Sequence, residues 1–314
     1  MSQLNEVTIL GSGLLGSQIA WHSAYKGKTV VVYDIAEQAI ARCQEMHDQY
    51  ATLYTANFGA SNADIAATRA RLSYGTHLAE AVANAALVIE AVPEVPDVKT
   101  AVYEELADLL PEDALVVTNS STFLPSTFAE ATGRPDRFCA LHFGNGIWAM
   151  NFAEIMAHPS TARATLTAVT EFAIEIGMTP IPVRKEHNGY VVNTWTVALT
   201  NAAQTLVTNG ISTAEDVDRS FMKFGFPIGP FGLLDQVGMK TAFDILAYWG
   251  TVNNDSQMTA NAKYIETNFL SKGLLGAQTG QGYYTWPDPS FAAADFLDVP
   301  DISEAAEIAA LVMP

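Results

Sequence analysis

The sequence predicts an α/β fold in which a doubly wound sheet is followed by an all-α C-terminal domain. Three observations carry this. Short β-rich runs alternate with helical stretches through the first half of the chain, and such alternation builds parallel βαβ units. The first of these runs leads into a glycine-rich turn and then a helix. After Glu186 the strand signals stop, and Val191, Val192, Trp195, Ala198, Leu199, Ala202 and Leu206 recur at helical spacing.

The runs that read as strands are Val7–Leu10, Thr29–Tyr33, Leu87–Ala91, Ala114–Thr118, Phe138–Phe143 and Thr179–Val183. The gap between Asp34 and Leu87 is too long for one crossover helix and reads as a helix pair before the sheet resumes. In the second half, Ser212 to Glu215 reads as a capping box opening a helix, and Pro230 starts another that runs towards Trp249. The boundary falls near Lys185–Asn188, giving domains 1–187 and 188–314. From Pro287 onward the chain is acidic and contains prolines, and it reads equally as a tail or a short helix.

A length of 314 residues suits about two domains, and 49% apolar residues suffice for a sizeable core. The formal net charge of −18 argues against nucleic acid or an anionic membrane as partners, because both need clustered Lys and Arg. Cys43 and Cys139 stand outside any CxxC or Cys/His spacing, so neither a disulfide framework nor a metal site is expected. Residues 1–7 lack the basic and apolar regions of a signal peptide, and no run of about twenty apolar residues could span a bilayer. The expected location is the cytoplasm.

Gly11-Ser12-Gly13-Leu14-Leu15-Gly16 follows the first strand and opens a helix reading from Leu15 to Ala24. This is the context a dinucleotide-binding GxGxxG requires, and it makes the sheet Rossmann-type. Gly11 permits the tight turn, Gly13 lets the backbone approach a pyrophosphate, and Gly16 lets the helix pack closely. The helix N-terminus, at Leu14 and Leu15, then meets the phosphates. Asp34 ends the second strand. A carboxylate there accepts hydrogen bonds from a ribose 2′-hydroxyl and repels a 2′-phosphate, which favours NAD over NADP.

Three further segments add a resemblance. They are Thr118-Asn119-Ser120-Ser121; Leu141-His142-Phe143-Gly144-Asn145 with Asn151-Phe152-Ala153-Glu154; and Gly189-Tyr190-Val191-Val192-Asn193 with Gly229 to Asp235 downstream. With the glycine loop, in this order over roughly residues 5 to 286, the chain resembles the L-3-hydroxyacyl-CoA dehydrogenase family. The resemblance implies oxidation of a 3-hydroxyl to a ketone with hydride passing to NAD. It implies that His142 is the general base and that Glu154 orients its imidazole. Ser121 and Asn193 match the polar pair that holds the substrate oxygen and the imidazole. Asn145 matches a cofactor-side asparagine, and Glu94 and Lys99 match a pair near the nicotinamide ribose. Independently, imidazole is the side chain that exchanges protons near neutral pH, and a carboxylate partner fixes its tautomer. The other histidines, His22, His47, His77, His158 and His187, have no comparable setting.

The chain also departs from the family. His142-Phe143-Gly144-Asn145-Gly146 has glycines where the family carries a phenylalanine and a proline, which should open space beside the nicotinamide that Trp148 could refill. Thr194 stands where an arginine is common. The helical pair after the second strand is lysine-rich in the family, yet Met46 to Asp64 contains no Lys or Arg. Tyr50 and Asn57 stand where a serine and a lysine would contact CoA, and Gln278 replaces a lysine. Arg69 and Arg71 are the candidates to replace these cations.

The leading expectation is therefore NAD-dependent oxidation of a short L-3-hydroxyacyl-CoA, or the reverse. One alternative is dehydrogenation of a free 3-hydroxy acid or related small hydroxyl compound, as in the gulonate and carnitine dehydrogenase relatives. Another is a non-catalytic NAD-binding structural or sensory protein. The set Ser121, His142, Glu154 and Asn193 speaks against the last. Long apolar helices in the second half, and the resemblance, lead us to expect a homodimer formed through that domain.

Overall fold

The computed structural model describes residues 4–312. They form two compact units that divide between Asn193 and Thr194.

The first unit is an eight-stranded sheet with helices on both faces. Its elements in order are β1 (Glu6–Leu10), α1 (Leu14–Tyr25), β2 (Thr29–Tyr33), α2 (Glu37–Phe58), α3 (Asn62–Ala70), β3 (Leu72–Gly75), α4 (Leu78–Val82), β4 (Leu87–Glu90), α5 (Pro96–Leu109), β5 (Leu115–Thr118), β6 (Phe138–Phe143), β7 (Phe152–Met156), α6 (Arg163–Glu175) and β8 (Thr179–Val183). The strand order is β3-β2-β1-β4-β5-β6-β7-β8. Successive side chains of a strand point to opposite faces. Ile9, Ile89 and Val117 accordingly enter one core cluster, with Phe143, Val169 and Phe172, while Leu10, Val88 and Val116 enter another, with Tyr103, Leu106 and Phe138. Both faces are dry, which is why the strands read as nearly continuous apolar runs.

Two strands were not apparent in the sequence. β3 is a short edge strand of partly exposed residues, so it lacks the apolar run that marks a buried strand. β7 carries Glu154 in its centre, which interrupts its apolar pattern, and it pairs antiparallel to β6. Only residues 144–151 join these strands, and a short connection reverses the chain where a parallel pair would need a crossover. The sheet is therefore mostly parallel, with one antiparallel step.

The second unit continues α7 (Val192–Thr208) and adds α8 (Ala214–Met222), α9 (Pro230–Val237), α10 (Met239–Val252), α11 (Ser256–Asn268) and α12 (Ala305–Ala310). The cap of α8 is Thr213, whose side chain accepts from the Asp216 amide, one residue later than the expected capping box. The helix expected from Pro230 to Trp249 is broken at Gly238, whose φ is +95°. The acidic end holds short 3-10 turns and the exposed α12. Buried Asp218 accepts from the amides of Phe231 and Gly232 at 2.8 and 2.9 Å and from the Tyr284 hydroxyl at 2.9 Å. Asp235 accepts from the amides of Tyr283 and Tyr284 and from Trp286 Nε1. The Gly229–Asp235 motif thus anchors this unit's own C-terminal segment.

Two buried histidines brace α1 and α2. His22 Nε2–H donates to the Ile176 carbonyl at 2.8 Å and Nδ1 accepts from the Tyr54 hydroxyl at 2.6 Å. His47 does the same with the Ser17 carbonyl at 2.9 Å and the Tyr74 hydroxyl at 2.6 Å. Burial pushes both down to about 4 from 6.5. A folded pKa below the unfolded one gives stability that is complete above the unfolded value and is lost as pH falls through the window from 6.5 to about 4. Acidification from neutrality to pH ~5 should cost about 2 kcal/mol per histidine. Urea midpoints across that range measure it. In a His22→Gln, His47→Gln double variant this part of the pH dependence should vanish, and an unchanged slope would refute the assignment.

Candidate active site

The site is organised around the carboxyl ends of β1 and β4, where the strand order turns and an open sheet leaves a crevice. Gly11 closes β1 with φ +99°, and a Cβ there would lie 2.4 Å from the Ala91 carbonyl oxygen. A Cβ on Gly16 would lie 2.0 Å from the Gly11 carbonyl oxygen, so any larger residue pushes α1 off the turn. A Cβ on Gly13 meets nothing within 4 Å, which leaves that backbone open to a ligand. No side chain caps α1 and its first turn holds no acid, so its amides and positive dipole end face this opening. Gly13, Leu14, Leu15 and Gly16 line one pocket with Glu94, Lys99, Asn119 and Ser121. A second pocket shares the glycine loop and continues to Asp34 and Arg42. An uncapped helix terminus with an acid at one end and polar side chains at the other suits an extended dinucleotide, and these residues fit NAD.

Asp34 is half-buried. Its Oδ2 accepts from the amide of Ser12 at 2.9 Å and from the Ser12 hydroxyl at 2.7 Å.

His142 and Glu154 are directly opposite each other in the β6–β7 register. Cross-strand neighbours share a face, so the sheet itself places the imidazole beside the carboxylate. His142 Nδ1–H donates to Glu154 Oε2 at 2.8 Å, and the two side chains are 5% and 0% exposed. Since a carboxylate only accepts, the tautomer is fixed and Nε2 keeps its lone pair. The other oxygen, Oε1, accepts from the amides of Val191 and Val192 at 2.8 and 2.9 Å, at the start of α7. Glu154 therefore holds the imidazole and a helix N-terminus at once. Asn193 is the second residue of that helix and is half-buried. The ring of Tyr190 lies 4.8 Å from that of His142.

Lys99 belongs to a buried network that sequence reading did not reveal, with Glu94 at its exposed edge. Lys99 Nζ contacts Glu90 Oε1 at 2.6 Å and Glu94 Oε2 at 3.1 Å, and its side chain is 1% exposed. Glu90 also accepts from Tyr103 at 2.5 Å and from Thr118, its register partner, at 2.8 Å. Burial and Glu90 push the Tyr103 hydroxyl well above its ordinary range. Glu94 Oε1 accepts from the Ser120 hydroxyl and the Thr122 amide. The carboxylates of β4 and its following loop thereby hold the turn that carries Ser121 into the pocket. Asn119 Oδ1 accepts from the Phe143 amide at 2.9 Å, tying this turn to the end of β6. The side chains of Glu90, Asn119 and Ser120 each have a partner at least nine residues away, in Lys99, Phe143 and Glu94; a carboxylate at the end of an apolar strand was the one available signal for Glu90.

The 144–151 loop differs from expectation. The space freed at Gly144 is taken by the Phe152 ring, which a Cβ would approach to 2.7 Å. Trp148 instead packs on α2, with its ring 5.1 Å from Tyr50 and 6.0 Å from Tyr54. The Gly146 amide donates to Gln18 Oε1 at 2.8 Å. Asn145 is exposed at the loop tip and lines neither pocket. Arg69 pairs with Asp48 at 2.7 Å and lies over the Trp21 ring, while Arg71 donates to the Ala24 carbonyl. Neither extends over the glycine-loop pockets.

The comparisons with known proteins agree with this geometry. Residues 6–187 match the family model for the 3-hydroxyacyl-CoA dehydrogenase NAD-binding domain, and residues 189–286 match the model for its C-terminal domain. The mitochondrial hydroxyacyl-coenzyme A dehydrogenase of Rattus norvegicus is 30% identical over 289 residues, covering 90% of this chain and 91% of that protein. A solved diketoreductase is 40% identical with a TM-score of 0.85, over 91% of this chain and 100% of its own. The (S)-3-hydroxybutyryl-CoA dehydrogenase of Ralstonia eutropha is 28% identical with a TM-score of 0.78, over 91% and 100% of the two chains. The chain therefore belongs to the 3-hydroxyacyl-CoA dehydrogenase family and is an NAD-dependent oxidoreductase of that family.

Proposed function

We propose that the chain interconverts a small 3-hydroxy carbonyl compound and its 3-oxo counterpart, with no CoA handle on the substrate. His142 Nε2 takes the proton of the 3-hydroxyl, and Glu154 stabilises the imidazolium that forms. Ser121 and Asn193 hold the substrate oxygen. NAD held by Gly13, the α1 amides and Asp34 would supply the acceptor for the hydride of the carbon that bears this hydroxyl. In the reducing direction His142 returns the proton to the nascent alcohol oxygen.

The observation that carries the choice of substrate is the face of α2 beside the catalytic loop. Tyr50, Tyr54 and Trp148 pack together there, residues 46–64 carry no Lys or Arg, and Arg69 pairs with Asp48 at the surface. A nucleotide phosphate handle calls for cations that can turn towards it. The overall charge of −18 works in the same direction. The diketoreductase relative acts on dicarbonyl compounds, which supports the same reading. A CoA thioester is the second reading, and the family models favour it.

Purified protein with NADH and a panel of substrates separates the two. Acetoacetyl-CoA, free 3-oxo acids and neutral 1,3-diketones are followed by loss of NADH absorbance. The CoA-free compounds should be reduced with the larger kcat/KM. Turnover confined to the thioester would overturn the proposal.

A further inference from the structure

The central position of the first Gly-x-Gly in a dinucleotide loop needs no particular side chain, because the chemistry there is backbone and glycine chemistry. In this chain it is Ser12, and Ser12 is 2% exposed. Its amide and its hydroxyl both donate to Asp34 Oδ2, at 2.9 and 2.7 Å, across 22 residues of sequence. The Gly11 amide donates to the Tyr33 carbonyl at 2.8 Å, so the loop and the end of β2 are joined at successive residues. Among the described residues, Asp34 Oδ1 receives only a long contact from the Ala36 amide, at 3.4 Å.

We propose that Ser12 is a positioning residue for cofactor choice, whose hydroxyl fixes the Asp34 carboxylate so that Oδ1 is presented to the ribose of a dinucleotide lacking a 2′-phosphate. This rests on the reading of Asp34 as the ribose acceptor. Two donors on Oδ2 occupy the lone pairs that would otherwise be shared between protein and ligand, and they hold both side-chain torsions of Asp34 in one arrangement. Arg42 lines the same pocket. A carboxylate released by Ser12 could swing towards that guanidinium, and the charge that repels a 2′-phosphate would then be misplaced or neutralised. The amide of residue 12 survives any substitution, so the hydroxyl is the part that can be tested.

The experiment is direct binding of NADH and NADPH to the purified protein, read by cofactor fluorescence. Ser12→Ala should weaken NADH binding about tenfold, the equivalent of one hydrogen bond to a charged group. It should also narrow the ratio of NADH to NADPH affinity. Ser12→Cys fills nearly the same space with a weak donor and should resemble Ser12→Ala. A cysteine variant that binds like the unaltered protein would show that packing, not the hydrogen bond, matters, and would overturn the proposal. Asp34→Ala separates this failure from failure of the underlying reading. If it weakens NADH binding while Ser12→Ala does not, only the positioning role falls; if it leaves NADH affinity unchanged, the ribose reading falls with it. In the Asp34→Ala background, Ser12→Ala should add nothing, and an additive loss would also count against the coupling.

Discussion

Replacing His142 by alanine should lower turnover by at least about a hundredfold, the low end of the range for loss of a general base. NADH affinity should remain essentially as it is. The two expectations follow from separate parts of the sheet. His142 is on β6, held by Glu154 from β7, and lines neither of the pockets on the glycine loop. The residues that would hold the cofactor are Gly13, the α1 amides and Asp34, which hang from β1 and β2. Steady-state rates and a fluorescence titration on the same preparation test both halves. Turnover within about tenfold of the unaltered protein would refute the general-base role. A large loss of NADH affinity would mean that the variant disturbs the sheet, and the α1–β4 crevice would need re-examination by circular dichroism and melting.

How much of this was legible beforehand depends on how far apart the partners lie in the chain. Gly11, Gly13, Gly16 and Asp34 could be read because one βαβ unit contains them all, and each glycine has a steric reason to be there. The dyad was named from resemblance, but its geometry was not visible, because β7 was not recognised as a strand. Once β7 is paired with β6, the register alone sets Glu154 opposite His142. The turn holding Ser121 was less accessible still. Its order comes from Glu90, Glu94 and Lys99, and Lys99 could be read only as a cation near the cofactor when its nearest partners are two carboxylates. The same holds for the loop after His142. Two glycines suggested open space, yet a ring from the next strand fills one place and Trp148 turns to α2. Sequence spacing reports local sterics well. It does not report which distant side chain occupies a vacated volume, since that is decided by close packing in the assembled unit.

Glu154→Gln should be nearly as damaging to turnover as loss of His142, although it changes only one atom. In the present arrangement Oε2 accepts from His142 Nδ1–H, and Oε1 accepts from the amides of Val191 and Val192. A glutamine has one oxygen for these three donors. If its oxygen stays with the two amides, its NH2 faces Nδ1. The imidazole must then accept there, carry its proton on Nε2 and present a donor where the mechanism needs a base. If the oxygen turns to His142 instead, the NH2 meets two part-buried backbone N–H groups that lose their acceptor, at a cost of about 1 kcal/mol each, the low end for an unsatisfied group. The first arrangement is the less costly one, so the variant should stay folded with the wrong tautomer. Turnover should fall on the order of a thousandfold or more, as it does when the carboxylate of a comparable triad is made neutral. NADH binding should be preserved, because Glu154 lines neither glycine-loop pocket. A Glu154→Asp variant keeps the charge but shortens the reach, and it should recover part of the rate. If Glu154→Gln turns over like the unaltered protein while melting normally, the carboxylate is only a cap for α7, and the base would have to draw its orientation from elsewhere.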